Sequence, residues 1–141
     1  MRTDTLFWIT IALGALAIFD DLRRRVISNW ISGAALASGI LLNTVDHGPR
    51  GAAIAAAGAA LGFALLILFY LMGGMGGGDV KLMTGLGAIL GPSAVLTAAV
   101  LGAIAGAFTA AGAVLFRRSQ RAIPYAPALV LGAWLALVLR N

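Results

Sequence analysis

Residues 52–72 read AAIAAAGAALGFALLILFYLM, 21 consecutive positions without a charge. About 20 apolar residues carry a helix across a bilayer core, so this run by itself predicts a membrane span. Outward from it the chain repeats the same composition in shorter pieces: Leu6 to Phe19, Trp30 to Leu42, Leu82 to Leu90, Ala94 to Phe116 and Ala126 to Leu139. Together these stretches predict an all-α, polytopic integral membrane helical bundle with about six short transmembrane helices. Runs this short need flanking residues to complete them, or loop ends that dip into the membrane within a protein-lined cavity. Gly91-Pro92-Ser93 is a clear breaker between two of them, and Asp46-His47-Gly48-Pro49 predicts an outer turn.

The composition agrees with a membrane chain. Of 141 residues, 61% are hydrophobic and 11% are charged, and the mean hydropathy is +0.99. A soluble domain of that length needs far more polar surface than ten basic and five acidic residues supply. Connections between the stretches are brief and none looks like a linker, so residues 1–141 are expected to form a single domain. There is no cysteine, which removes thiolate nucleophiles and Cys-based zinc or iron–sulfur sites. Nineteen glycines and abundant alanine permit close helix packing.

A net charge of +5 would suggest nucleic acid in a soluble protein, but here the bases cluster between apolar runs, and no nucleic-acid partner is expected. They read as a topology signal. One side of the membrane receives Arg23, Arg24, Arg25, Lys81, Arg117, Arg118 and Arg121, while the other receives Arg2, Arg50 and Arg140. Seven against three assigns the first side to the cytoplasm and places both termini outside. The expected location is a bacterial-type inner (cytoplasmic) membrane, with lipid as the surrounding partner.

Chemistry has few carriers in this chain. His47 is the lone histidine and sits in the outer turn, so no His-based metal site and no Ser-His-Asp arrangement is expected. No metal and no cofactor is implied. Asp20 and Asp21 follow an apolar run of only fourteen residues, which puts them at or just inside the cytoplasmic edge. Gly73-Gly-Met-Gly-Gly-Gly-Asp79 joins two apolar stretches, and Lys81 follows it. A phosphate-binding loop would require Gly-Lys-Ser/Thr after a strand, which is missing. Asp79 opens the next helix, where a carboxylate meets the positive end of the helix dipole. Two carboxylates at one membrane level are the minimum for acid–base hydrolysis of an amide without a metal or a covalent intermediate. Close together, they resist ionising at once and divide into acid and base.

Three segments resemble, in order, motifs of the prepilin peptidases in the GxGD aspartic protease group, particularly the short type serving tight-adherence (Flp-type) pili. Asp21-Leu-Arg-Arg-Arg-Val-Ile-Ser-Asn29 is similar to that family's Asp-Leu-Arg-x-Arg-x-Ile-Pro-Asn segment, and Gly76-Gly-Gly-Asp79-Val-Lys-Leu82 to its Gly-x-Gly-Asp-x-Lys-Leu segment. Ile123-Pro-Tyr-Ala-Pro-Ala-Leu129 is similar to its late Ile-Pro-Phe/Tyr-Gly-Pro-x-Leu element. Ser28 stands where the family usually has proline and Ala126 where it usually has glycine. The resemblance implies Asp21 and Asp79 as the catalytic pair, supported by Gly76, Gly78, Lys81, Arg23, Arg25 and Asn29. It further implies an aspartic endopeptidase that removes the short basic leader from prepilins or pseudopilins with an apolar N-terminal helix, at the cytoplasmic face. Larger members add a domain and N-methylate the new terminus; no such methyltransferase domain is expected here. Two alternatives stand beside it. A presenilin-like protease shares Gly-x-Gly-Asp and a later Pro-Ala-Leu, and a small ion- or proton-coupled transporter would use the same aspartates as ion sites.

Overall fold

A computed structural model of the chain describes residues 2–115 and 125–140. Regular structure among them is entirely helical: α1 (Arg2–Arg24), α2 (Asn29–Leu71), α3 (Gly77–Leu115) and α4 (Ala126–Arg140). Phe116, the basic loop holding Arg117, Arg118 and Arg121, and the Ile123-Pro124 start of the third motif lie outside the described residues. Helices α1, α2 and α3 are long and apolar enough to cross a membrane, and α4 is a shorter apolar helix. This is a helical membrane bundle.

At 1.5 Å per residue, a straight α2 of 43 residues would extend ~65 Å, about twice a bilayer core. It is broken at Gly48, where φ is 59° and ψ is −144°, followed by Pro49. The 39-residue α3 is broken likewise at Gly91, with φ 77° and ψ 172°, followed by Pro92. These are the turn and the breaker read from the sequence. Only glycine enters such backbone regions without a Cβ penalty, and the proline then removes the amide that would continue the helix.

The contacts show that both breaks reverse the chain. From the loop before α2 through its first half, and along the first half of α3, Ile27 meets Gly78, Ala35 meets Gly85, and Gly39 meets Ala88, so both numbers rise together and the segments run parallel. In the second half of α2 the order inverts: Gly58 meets Gly87, Gly62 meets Met83, and Tyr70 meets Gly77. The glycines set how near these helices come. A Cβ on Gly58 would lie 2.1 Å from the Gly87 carbonyl oxygen, and one on Gly87 would lie 2.2 Å from that of Gly58. Helix association inside lipid rests on such dispersion contact, because the tails are as apolar as the side chains.

Asn43 completes the far end of this packing. Pro92 has no N–H to give the Ala88 carbonyl four residues earlier; instead the Asn43 amide Nδ2 donates to the Ala88 oxygen at 3.0 Å and to the Gly39 oxygen at 2.9 Å. A buried carbonyl orphaned by proline is thereby paired from the neighbouring helix.

The core centres on the first half of α3. Val80, Leu82, Met83, Leu86, Ile89 and Leu90 are all buried, together with Ile31, Leu129 and Val130 from the surrounding helices. This half of α3 is enclosed by the other helices on most of its sides. Helix α4 packs antiparallel to α1, with Trp134 beside Gly14 and Ala126 beside Asp21. It also packs antiparallel to the second half of α3, with Gly132 against Ala98 and Tyr125 against Gly106. Large apolar side chains such as Trp8, Leu71 and Phe108 point outward, as a lipid-facing surface requires.

Candidate functional site

At one end of the bundle the C-terminus of α1 meets the N-termini of α2, α3 and α4. Asp21 lies in the last turn of α1 and is only 7% exposed; Asp79 lies in the first turn of α3 and is 8% exposed. Both stand at this end of the bundle, and the Asp21 charge bears on Asp79. The two aspartates singled out in the sequence are therefore brought together from different helices.

Each is seated by backbone. Helix α1 ends with Arg25 at φ 55°, and the Arg25 N–H donates to the Asp21 carbonyl at 2.9 Å, a left-handed cap closing the last turn. The Asp21 carboxylate would face the negative end of its own helix there, but its Oδ2 accepts the Ala126 N–H at 3.0 Å. That amide is the first of α4, so the positive end of one helix offsets the negative end of another. Asp79 is the third residue of α3. Its N–H donates to the Gly76 carbonyl at 3.2 Å, a backbone turn that opens the helix.

The supporting residues separate into groups. A Cβ on Gly78 would lie 3.2 Å from the Ile27 Cβ, so the loop between α1 and α2 is wedged against the start of α3. Lys81 Nζ donates to Asn29 Oδ1 at 3.0 Å, tying the first turns of α2 and α3 together. Arg25 lies within electrostatic reach of Asp21, whereas Arg23 is exposed and places its guanidinium 5.8 Å over the Phe19 ring. Asp20 faces the other way: its Oδ2 accepts both the Ser28 N–H, at 3.2 Å, and the Ser28 hydroxyl. The Ser28 that stands in place of proline is thus held to α1.

Two contributors escaped the reading of side chains. Ala126 acts through its main-chain amide, and Tyr125 packs its ring against Gly106 within reach of the Asp79 charge. Burial, reinforced by Asp79, raises the Tyr125 phenol above its ordinary range. The late Pro-Tyr-Ala-Pro element was the signal that found this segment. Among the described residues, no three potential metal-ligating side chains come together.

A polytopic helical bundle with paired buried aspartates at one end is the class this architecture defines. Residues 8–111 match the model of the type IV leader peptidase family, and the chain belongs to that family. Both aspartates fall inside the match. It is 33% identical over 142 residues to a prepilin leader peptidase/N-methyltransferase of Aeromonas hydrophila, covering 94% of this chain and 47% of that protein. A protein of the same name from Bacillus subtilis (strain 168) is 39% identical over 83 residues, covering 56% of this chain and 34% of the relative. The chain spans about half the length of the Aeromonas relative or less. No solved structure matches it.

Proposed function

We propose that this chain is a membrane-embedded aspartic endopeptidase that removes the leader from prepilins of the Flp type, with Asp21 and Asp79 as its catalytic pair. The observation that carries the reading is the meeting of two buried carboxylates from α1 and α3 at one end of an otherwise apolar bundle. In that role one carboxylate takes a proton from water as the water oxygen attacks the scissile carbonyl carbon. The other, protonated, donates to the carbonyl oxygen; collapse of the tetrahedral intermediate breaks the C–N bond, and the leaving nitrogen takes up a proton. The Aeromonas and Bacillus relatives are named for leader peptidase activity, which supports carrying the reaction class over.

In this reading the reversals at Gly48 and Gly91 make six crossings of an inner membrane, with the aspartate end toward the cytoplasm. An apolar pilin helix lies in the lipid beside the bundle, and its leader junction reaches the level of the two carboxylates. Co-expression with candidate prepilins tests the chemistry: Asp21→Asn and Asp79→Asn each abolish processing, because an amide does not exchange a proton at working pH, while Asp46→Asn leaves it. Retained cleavage in either active-site variant overturns the assignment. If the same aspartates serve ion transport instead, they carry proton flux in proteoliposomes and leave prepilins uncut. Orientation is tested with single cysteines at Arg24 and His47, reacted with an impermeant reagent in intact cells. Labelling at Arg24 rather than His47 inverts the topology.

A further inference from the structure

The chain turns from α1 into α2 within four residues, Arg25 to Ser28, and the turn is closed by an unusual use of a serine. Ser28 is the N-cap of α2, where a serine hydroxyl ordinarily accepts an amide of its own helix. Here it makes no cap hydrogen bond. Its hydroxyl and its N–H both turn back to Oδ2 of Asp20, on the last turn of α1. The half-buried Asp20 is thus the immediate neighbour of one catalytic aspartate and the anchor of a loop that leads to the other.

That loop also packs against the Asp79 corner. Ile27, 4% exposed, seats against Gly78, the residue before Asp79. Asn29 takes the Lys81 ammonium, two residues beyond Asp79. Ser28 lies between these two contacts and is held by Asp20. From Asp20 the path runs through Ser28 to the residues on either side of it, and from each to a neighbour of Asp79.

We propose that Asp20 and Ser28 form a positioning pair that fixes the separation of Asp21 and Asp79, acting through Ile27 and Asn29 and touching neither substrate nor the reacting atoms. Ser28 has φ −61°, the value a proline ring imposes. The two hydrogen bonds therefore hold by contact a backbone angle that a proline would hold covalently. The proposal rests on Asp21 and Asp79 being the catalytic pair.

The test uses purified full-length enzyme in detergent, checked for monodispersity, with a synthetic prepilin fragment of basic leader, glycine and apolar segment. Loss of positioning costs turnover rather than binding, so Asp20→Ala lowers kcat about tenfold per folded molecule while KM stays within about twofold. Asp20→Asn, whose side-chain oxygen still accepts both donors, keeps most of the turnover. Adding Ser28→Pro to Asp20→Ala restores it, since the ring supplies the lost restraint on φ. If Asp20→Ala does not fold, Ser28→Ala, which deletes only the hydroxyl bond, reports the same effect as a severalfold drop in kcat. Wild-type kcat in Asp20→Ala, or in Ser28→Ala where the former is unfolded, overturns the pair while Asp21→Asn remains dead. Failure of Ser28→Pro to rescue a folded Asp20→Ala also overturns it. Cleavage by Asp21→Asn, by contrast, removes the catalytic reading on which the pair depends.

Discussion

The two aspartate corners are built by different means. Around Asp21 the structure uses directed bonds: the Ala126 amide on the carboxylate, the Arg25 amide on the carbonyl, and the neighbouring Asp20 on Ser28. Around Asp79 a backbone turn opens the helix and one side-chain bond, Lys81 to Asn29, ties it to α2, while the remaining contacts are steric, with Gly78 against Ile27 and Gly77 against the Tyr70 ring. A hydrogen-bonded corner loses its geometry when a donor is removed. A packed corner loses it when an atom is added. The Gly73–Gly78 run is accordingly less free than its composition suggests: a positive φ is required at Gly73, whereas Gly77 and Gly78 have neighbours on the side where a Cβ would stand.

The largest effect comes from adding atoms to the packed corner. Gly78→Val places a Cβ and two methyl groups where Ile27 already sits, so either the loop or the first turn of α3 moves. A displacement of about 1 Å at Asp79 costs on the order of a hundredfold in turnover. Gly78→Ala falls between, because its lone Cβ at 3.2 Å asks Ile27 to give only a few tenths of an ångström. Rates of leader removal per folded molecule should rank glycine, alanine, valine; a valine variant at the glycine rate would mean that this corner is not packed against Ile27.

Removing a donor from the other corner comes next. Ala126→Pro deletes the amide that Asp21 accepts, at the first helical position, where proline is tolerated. Hydrogen bonds to charged groups are worth about 2 kcal/mol, which corresponds to roughly a thirtyfold loss in turnover if the bond is made in the transition state. Because Ala126 is fully buried, thermal unfolding must be followed alongside to separate overpacking from the lost donor. A variant as active and as stable as the unmodified protein would show that the amide contributes nothing to Asp21.

These corners also mark what a sequence discloses. The apolar helices, the breaks at Gly48 and Gly91, and the pairing of the two aspartates at one end were legible because each has a local signature: an apolar run, a Gly-Pro step, a charge where charge is costly. The stretch from Leu82 to Leu90 looked too short to span, yet its helix begins at Gly77 and carries both Asp79, which protein encloses, and Lys81, which stays exposed and bonded to Asn29. The Ala126 contribution was not legible, since a main-chain amide has no side-chain signature and its partner is 105 residues away. Nor was the Asp20–Ser28 contact, which needs the left-handed turn at Arg25 before the two meet. At Ser28, where the family usually has proline, the structure supplies two bonds to Asp20.

A third substitution separates both corners from the scaffold. Asn43 is at the far end of the bundle, pairing the Ala88 carbonyl beside the Pro92 break. Asn43→Ala leaves that buried oxygen unpaired at a cost of about 1–3 kcal/mol, lowering the unfolding temperature while turnover per folded molecule holds. A loss of turnover without a loss of stability would tie this end of the bundle to the aspartates and undo the separation.

The smallest effect should carry the opposite sign. Arg25 adopts φ 55°, a left-handed conformation that costs an ordinary L-residue roughly 1 kcal/mol and glycine almost nothing. Helices commonly end on glycine at this position for that reason. Arg25→Gly relieves the strain in the folded chain but also loosens the unfolded one, so the net gain in stability is at most about 1 kcal/mol. Keeping arginine at a strained cap beside Asp21 therefore needs a return elsewhere, and its charge within reach of that carboxylate is the available one. Arg25→Lys retains both charge and strain, whereas Arg25→Gly removes both, so the pair divides the two effects. The glycine variant should unfold at the same or a slightly higher temperature and cleave more slowly, with the lysine variant close to the unmodified protein in both. Equal cleavage by glycine and lysine variants would leave the hydrogen bonds alone to define the Asp21 corner. Lower stability of the glycine variant would instead mean that the arginine side chain anchors the turn by contacts stronger than the strain it bears.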